Sequence, residues 1–188
     1  MRNFKNYGLF DVSTFQGILE ENDFNWQEFD FRQKKFDVHK ETKTLPLIFS
    51  EKLYDVFESE ENEKRILEDI EDSKSKHFKL FEEELKKIQN HIKSILDEDG
   101  YIFRAILVLL PKGKEVLPHK DIGKSFFIPR RIHLVIDTNS ECYFTVGDVT
   151  KNLKEGEIWE INNNGIIHSV SNKGDTDRIH LIFDWIKK

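Results

Sequence analysis

The sequence predicts a mostly β protein with flanking α-helices and a jelly-roll core, and three observations carry that prediction. From residue 101 onward, short β-type runs alternate with Gly, Asn and Pro turn signals at intervals of roughly 8–12 residues, the pattern of a sandwich or barrel. No helical pattern lies between those runs, which argues against a parallel α/β sheet. Before residue 100, apolar residues instead recur three and four apart, the mark of amphipathic helices.

Residues 1–50 are mixed in texture, with a strand expected near Phe36–Phe49 because Pro46 biases Leu45 towards an extended backbone. Leu53, Val56, Phe57, Ile66, Leu67 and Ile70 suggest a first helical region. Phe78, Phe81, Leu85, Ile88, Ile92 and Ile95 form one face of a second helix, with Glu82, Glu83, Glu84, Lys86 and Lys87 on its solvated side. Asp97-Glu98-Asp99-Gly100 ends it, with Gly100 expected as the C-terminal stop. The strands expected next are Ile102–Leu110, Arg131–Asp137, Glu141–Val146, Glu157–Ile161, Ile167–Val170 and Arg178–Ile186. Residues 1–188 read as one domain, with 1–100 packing strands and amphipathic helices on a core formed by 101–186.

Composition narrows the function classes. With 188 residues, 38% hydrophobic and 16 Phe, the chain can bury a core without disulfides, and it is neither disordered nor collagen-like. No run approaches the roughly 20 apolar residues of a membrane helix, so no membrane partner is expected. The start, Met1-Arg2-Asn3-Phe4-Lys5-Asn6-Tyr7-Gly8, lacks the apolar run and small-residue cleavage site of a secretion signal. A single cysteine, Cys142, fits a reducing compartment, and a cytoplasmic location is expected. Net charge is -6; residues 101–188 carry 13 Lys+Arg against 11 Asp+Glu, and residues 1–100 carry 16 against 24. No basic stripe with interleaved aromatics tracks a phosphate backbone, so nucleic acid is not expected as a partner, and a small molecule or peptide is.

The chemistry concentrates in four of the seven histidines, which lie in the β half. In His119-Lys120-Asp121 the imidazole and the carboxylate are two apart and share a strand face. His168 follows Asp121 by 47 positions, on a strand expected to face them across the interior. Two imidazoles and one carboxylate on one side of a metal ion, with open positions left, make the facial triad of non-haem Fe(II) oxygenases. The bland alternative is a turn histidine, a solvated aspartate and a core imidazole. Arg178 lies ten positions past His168, across Asn172-Lys173-Gly174-Asp175, and a hairpin there would put it on the strand beside His168. An arginine among apolar neighbours needs an anion, either a bound carboxylate or an internal partner such as Asp177 or Asp184. Arg131-Ile132-His133 repeats the cation–imidazole pattern on one strand face, unless that strand is an exposed edge. In the first 100 residues His39 and Thr42 are the only suspects, and neither is expected to take part.

From Arg104 to Asp184 the chain resembles the aspartyl/asparaginyl β-hydroxylase-like family of Fe(II)- and 2-oxoglutarate-dependent oxygenases. Arg104 with Leu107 and Leu110, Gly113, Leu117-Pro118-His119-Lys120-Asp121 and Arg131-Ile132-His133-Leu134 match in order. Gly156-Glu157-Ile158-Trp159, His168-Ser169-Val170-Ser171-Asn172 and Asp177-Arg178-Ile179-His180-Leu181 continue the series. The resemblance implies a double-stranded β-helix, cupin-like in shape, with iron held by His119, Asp121 and His168. It implies 2-oxoglutarate bound to that metal, with its far carboxylate on Arg178. Arg131 and His133 match positions that help hold carboxylates of the cosubstrate or the substrate. The activity implied is hydroxylation of an unactivated C–H bond in an amino acid or an amino-acid residue of a peptide.

Two departures from the family pattern matter. Asn162 stands where members often carry an acidic residue, which bears on the strand end. Asp121 keeps the carboxylate that animal peptide-modifying members lack, which places the chain nearer small bacterial-type members whose substrates include free amino acids. Phe103, Phe126, Phe127, Phe144 and Trp159 are candidates for a dry surround. The rival is a cupin-like metal-binding or isomerase domain without oxygen chemistry. Such domains present more histidines and a Glu in one short motif, and here that motif offers only His119 and Asp121.

Overall fold

In the computed structural model, which describes residues 3–55, 63–163 and 165–188, ten strands form two antiparallel sheets. In chain order the strands are β1 (Phe4–Leu9), β2 (Lys43–Ile48), β3 (Gly100–Leu110), β4 (Glu115–His119), β5 (Arg130–Asp137), β6 (Cys142–Val146), β7 (Val149–Lys151), β8 (Glu157–Ile161), β9 (His168–Asn172) and β10 (Arg178–Lys187). The larger sheet runs β1-β8-β5-β10-β3-β2 and the smaller β4-β9-β6-β7. The helices are α1 (Ser13–Glu21), α2 (Phe31–Lys35), α3 (Lys52–Asp55), α4 (Glu63–Asp72), α5 (Phe78–Leu96) and α6 (Lys124–Phe127), with a 3-10 turn at Asp37–His39.

The period-2 rule divides the larger sheet's side chains between two apolar layers. Phe103, Ala105, Leu107, Ile132, Leu134, Leu181 and Phe183 pack with Phe81, Leu85, Ile88 and Ile92 of α5. Leu110, Val135 and Ile161 turn the other way, against Val116, Phe144, Val146 and Val170 of the smaller sheet. Covered on both faces, β3 is buried at all 11 positions, which is why it reads as an unbroken apolar run. Two antiparallel sheets packed on one core in this order make the double-stranded β-helix, with helices on its outer face.

The N-terminal half contributes both edge strands of the larger sheet, β1 against β8 and β2 against β3. β1, β7, α1, α2 and α6 lack a strong period and are not expected from sequence. On α5 the face holds except at Ile95, which is 41% exposed, and Glu84, which is buried and paired with Lys87 rather than solvated. Val56 and Phe57, in the first expected helical region, lie outside the described residues.

Gly100 is not the helix stop. Asp97 takes the left-handed cap at φ 50°, while Gly100 opens β3, where a Cβ would lie 2.4 Å from the Ile186 carbonyl oxygen and 2.5 Å from the Trp185 ring. The glycine is there for close approach. The turn after β9 also differs from expectation: it carries the chain from the smaller sheet to the larger, so β10 pairs with β3 and β5 and not with β9. Among the described residues, no helix is long and apolar enough to cross a membrane.

Candidate active site

His119 and His168 are register partners on β4 and β9, with ring centroids 4.2 Å apart. They are therefore neighbours in one sheet, not residues facing each other across the interior. The register shifts between Val116 and His119, where Pro118 has no N–H to give the ladder, and the strand ends there. Asp121, just beyond it, turns into the same space. One ligand atom from each of His119, Asp121 and His168 lies within 4.8 Å of the others.

Neighbouring carbonyls set both imidazole tautomers. His119 Nδ1 lies 2.8 Å from the Leu117 carbonyl oxygen and His168 Nδ1 lies 3.1 Å from that of Ile166. A carbonyl only accepts, so each Nδ1 carries the proton and each Nε2 keeps its lone pair. Burial lowers the His168 pKa, against the pull of Asp121, which keeps that lone pair available. Asp121 accepts at Oδ2 from Arg131 Nη1 and, at 2.9 Å, from Asn163 Nδ2, while its Oδ1 faces His119 Nε2 at 3.8 Å. Burial raises the Asp121 pKa, but Arg131, His168 and Asn163 outweigh it and hold the carboxyl below its ordinary value. Two imidazole Nε2 atoms and one anionic oxygen suit a first-row divalent metal with further positions open.

Arg178 opens β10 on the inner face, 2% exposed. It pairs with neither internal acid: Asp177 is exposed and accepts from the Lys112 backbone N–H, and Asp184 is bound to Arg104 and Arg131. Its Nη2 donates to His180 Nδ1, and its Nε is a buried donor without a partner. Burial brings the guanidinium down to about 10, still a cation at neutral pH. A buried cation lacking its anion fits a carboxylate-bearing ligand.

Because Arg178 can only donate, His180 Nδ1 must accept, and the His180 proton sits on Nε2. His133 Nδ1, 3.4 Å from the same nitrogen, is then the donor across that contact. Burial, followed by Arg178, holds both imidazoles well below the ordinary range. β5 is internal, between β8 and β10, so Arg131 and His133 do not sit on an edge strand. Arg131 joins two protein carboxylates: Nε donates to Asp184 Oδ1 at 3.0 Å, Nη2 to Asp184 Oδ2 at 3.2 Å, and Nη1 to Asp121. Asp184 Oδ2 also accepts from Arg104 Nε at 2.7 Å.

Two cavities meet at this centre. The outer, about 550 Å³, lies between the α2 region and the segment from His119 to Phe126; the inner, about 50 Å³, ends at Arg178 and Val170. Arg32, His39, His119, Asp121, Arg131 and Ile182 line both. Of the aromatics expected around the site, Phe126 lines the outer cavity and Phe144 the inner. Phe103 is in the helix-side core, Trp159 packs on the inter-sheet core, and Phe127 is 42% exposed.

His39, set aside on sequence, belongs to this collar: its ring lies 5.1 Å from that of His119, and Arg32 Nη2 is 3.2 Å from its Nε2. Thr42 ties down the turn, with its hydroxyl donating to the His39 carbonyl at 2.7 Å. Asn163, Asp184, Arg32 and His180 also go unassigned by sequence reasoning to this site. The run of asparagines at 162–164 reads as a turn, and an isolated Arg on a five-residue helix carries no periodic signal. Asn162 itself bonds through its backbone N–H to Asn3, at the strand end as expected.

The family profile described as aspartyl/asparaginyl beta-hydroxylase matches residues 9–188. L-proline cis-4-hydroxylase of Rhizobium meliloti (strain 1021) is 36% identical over 79 residues, 42% of this chain and 28% of the relative. The match thus spans little more than a quarter of that protein's length. A Pseudomonas putida prolyl-4-hydroxylase structure superposes over 100% of this chain and 94% of its own, with a TM-score of 0.52 at 9% identity. That likeness is one of fold.

Proposed function

The chain belongs to the aspartyl/asparaginyl β-hydroxylase family, and on that footing we propose that it is an Fe(II)- and 2-oxoglutarate-dependent dioxygenase. Its reaction is hydroxylation of an unactivated C–H bond in an amino acid or an amino-acid residue of a peptide. The observation that carries this reading is the convergence of His119, Asp121 and His168, with the unpartnered Nε of Arg178 buried behind them.

In this reading Fe(II) and 2-oxoglutarate, when bound, supply the oxidising power, coupling O2 consumption and loss of carbon dioxide to insertion of one oxygen into the C–H bond. His119 and His168 offer Nε2, their rings fixed by the Leu117 and Ile166 carbonyls. Asp121 offers Oδ1, its other oxygen held by Arg131 and Asn163. Arg178 receives the far carboxylate of 2-oxoglutarate, and His133 and His180 stay neutral beside it. Val108, Val116, Phe144, Ile161 and Val170 keep water from the inner cavity. Arg131 and His133 act from behind, one on Asp121 and one through His180.

The L-proline hydroxylase relative makes free L-proline one of the first substrates to try. A cytoplasmic location is in keeping with the lone, buried Cys142. The test is succinate release from 2-oxoglutarate across amino acids and peptides, with product mass read for a gain of one oxygen. Succinate stimulated by one substrate class supports the reading; no stimulation and no bound 2-oxoglutarate would reject it.

A further inference from the structure

Along the inner face of the larger sheet, the side chains of β3 and β10 change character from one register pair to the next. Leu110 is paired with Arg178, Val108 with His180, Ile106 with Ile182 and Arg104 with Asp184. Alternation puts all eight on one side of the sheet. Val108 and Arg178 line the inner cavity, Ile106, Arg104 and Asp184 the outer, and Ile182 both. His119 and Asp121 also line both. The Ile106–Ile182 pair therefore stands beside the metal position, between the Arg178 end and the ion cluster.

That pair belongs to a third apolar cluster, apart from the two core layers. Phe49, Ile106 and Val108 are its buried members, with Phe29, Phe31 and Ile182 packed against them. The Phe29 and Phe49 rings meet edge-on with centroids 5.2 Å apart, which holds the Phe49 ring in place. Phe49, Ile106 and Ile182 line the outer cavity, so the cluster is packed on one side and opens into the cavity on the other. Val38, Ile122 and Phe126 add apolar surface to the same cavity. At about 550 Å³ it is of small-molecule size.

The buried charges of this cavity are engaged with one another. Arg104 and Arg131 bind Asp184, Arg131 also binds Asp121, and Arg32 donates to His39. Arg104 and Arg131 against Asp184 and Asp121 make a neutral cluster. The Phe126 ring centre lies 5.0 Å from the Arg104 guanidinium carbon and 4.9 Å from that of Arg131. Lys35, Asp37 and Lys120 are exposed. A carboxylate or amide brought onto the Ile106–Ile182 pair would lose its water and meet hydrocarbon, at a cost that an aliphatic group does not incur.

We propose that the outer cavity receives an aliphatic side chain, of the kind carried by valine, leucine, isoleucine or proline, and that Ile106 and Ile182 select it over aspartyl and asparaginyl side chains. A side chain seated on this pair presents its C–H bonds to the metal position. The inference rests on the oxygenase reading above and narrows the substrate class of the same site.

The full-length protein, loaded anaerobically with Fe(II), is first titrated with 2-oxoglutarate by calorimetry. Succinate release is then measured with leucine beside its near-isosteres asparagine and aspartate, valine beside threonine, and isoleucine and proline. Each is supplied as the free L-acid and within an acetylated peptide amide. The best aliphatic side chain is expected to exceed aspartate and asparagine in kcat/KM by at least about a hundredfold. Ile106 lines the outer cavity only, so Ile106→Ala keeps 2-oxoglutarate affinity within about threefold. The same variant raises kcat/KM for a larger aliphatic substrate relative to a smaller one by about fivefold or more. A smaller margin over aspartate and asparagine, stimulation by no aliphatic form, or an unchanged size preference in folded Ile106→Ala overturns the proposal. The comparison of side chains needs no variant, so a misfolded Ile106→Ala protein leaves the test intact. Failure to bind 2-oxoglutarate would instead remove the oxygenase reading, and this inference with it.

Discussion

Asp121 and Asp184 share one guanidinium. Arg131 donates to Asp184 with Nε and Nη2 and to Asp121 with Nη1, so an acid on β10 orients an acid beyond the end of β4. Arg104 Nε donates at 2.7 Å to Asp184 Oδ2, the oxygen that also accepts from Arg131 Nη2. The arrangement leaves Asp121 Oδ1 for a metal while its other oxygen is saturated.

Asp184→Asn therefore weakens metal binding without touching a ligand. Loss of the charge frees Arg131 to turn, and Fe(II) affinity should fall by about 10- to 100-fold. Removing one partner of a buried ion cluster also destabilises the fold, by about 3–5 kcal/mol. Calorimetric metal titration and urea melts read the two effects separately; unchanged metal affinity in a folded variant would count against the bridge.

Arg178→Gln should raise KM for 2-oxoglutarate by about two to three orders of magnitude, the scale of losing a buried charge-assisted pair. Steady-state kinetics with the cosubstrate varied gives the answer. A normal KM would take the cosubstrate carboxylate away from Arg178.

How much of this was legible in sequence depends on how far apart the interacting groups lie along the chain. The strands from β3 onward are visible because their alternation and turns are local, and ordered motifs carried the resemblance. The His119–His168 pairing is not local: nothing in the chain says that β4 and β9 are adjacent and β9 and β10 are not. The same turn residues, Asn172 to Asp175, serve a hairpin or a sheet-to-sheet crossing equally well. Gly100 looked like a helix stop because the ring of Trp185, 85 positions away, is invisible from its neighbours. His39 has no motif around it, and it reaches the site only because the 3-10 turn at Asp37–His39 packs against β4, far along the chain.

Gly100→Ala should destabilise the protein by about 1–3 kcal/mol through overpacking against Trp185 and the Ile186 carbonyl. Thermal melts read this directly, and Gly165→Ala, where no atom lies within 4 Å of the added carbon, isolates the backbone term at φ 68°. A Gly100→Ala protein as stable as wild type would mean that β3 and β10 can part there.

Stability of the metal-free protein should fall on mild acidification. His133 and His180 are held well below 6.5 in the fold by burial and then Arg178, and an unfolded chain binds their protons near the ordinary value. The unfolded state therefore binds more protons below about pH 6.5, so folding free energy is lost as pH drops, by up to about 1.4 kcal/mol per pH unit for each. His39 and His168 add to it in the same sense. Urea midpoints measured between about pH 7.5 and about pH 5.5 should decline, less steeply in His180→Leu; a flat profile contradicts the buried neutral imidazoles.

The most direct measurement is the visible absorption spectrum of the anaerobic protein with Fe(II), before and after adding 2-oxoglutarate. A metal-to-ligand charge-transfer band should appear in the native chain, vanish in His119→Ala and Asp121→Ala, and need far more 2-oxoglutarate in Arg178→Gln. A protein that binds Fe(II) and develops no such band would contradict the assignment of this site to an oxygenase.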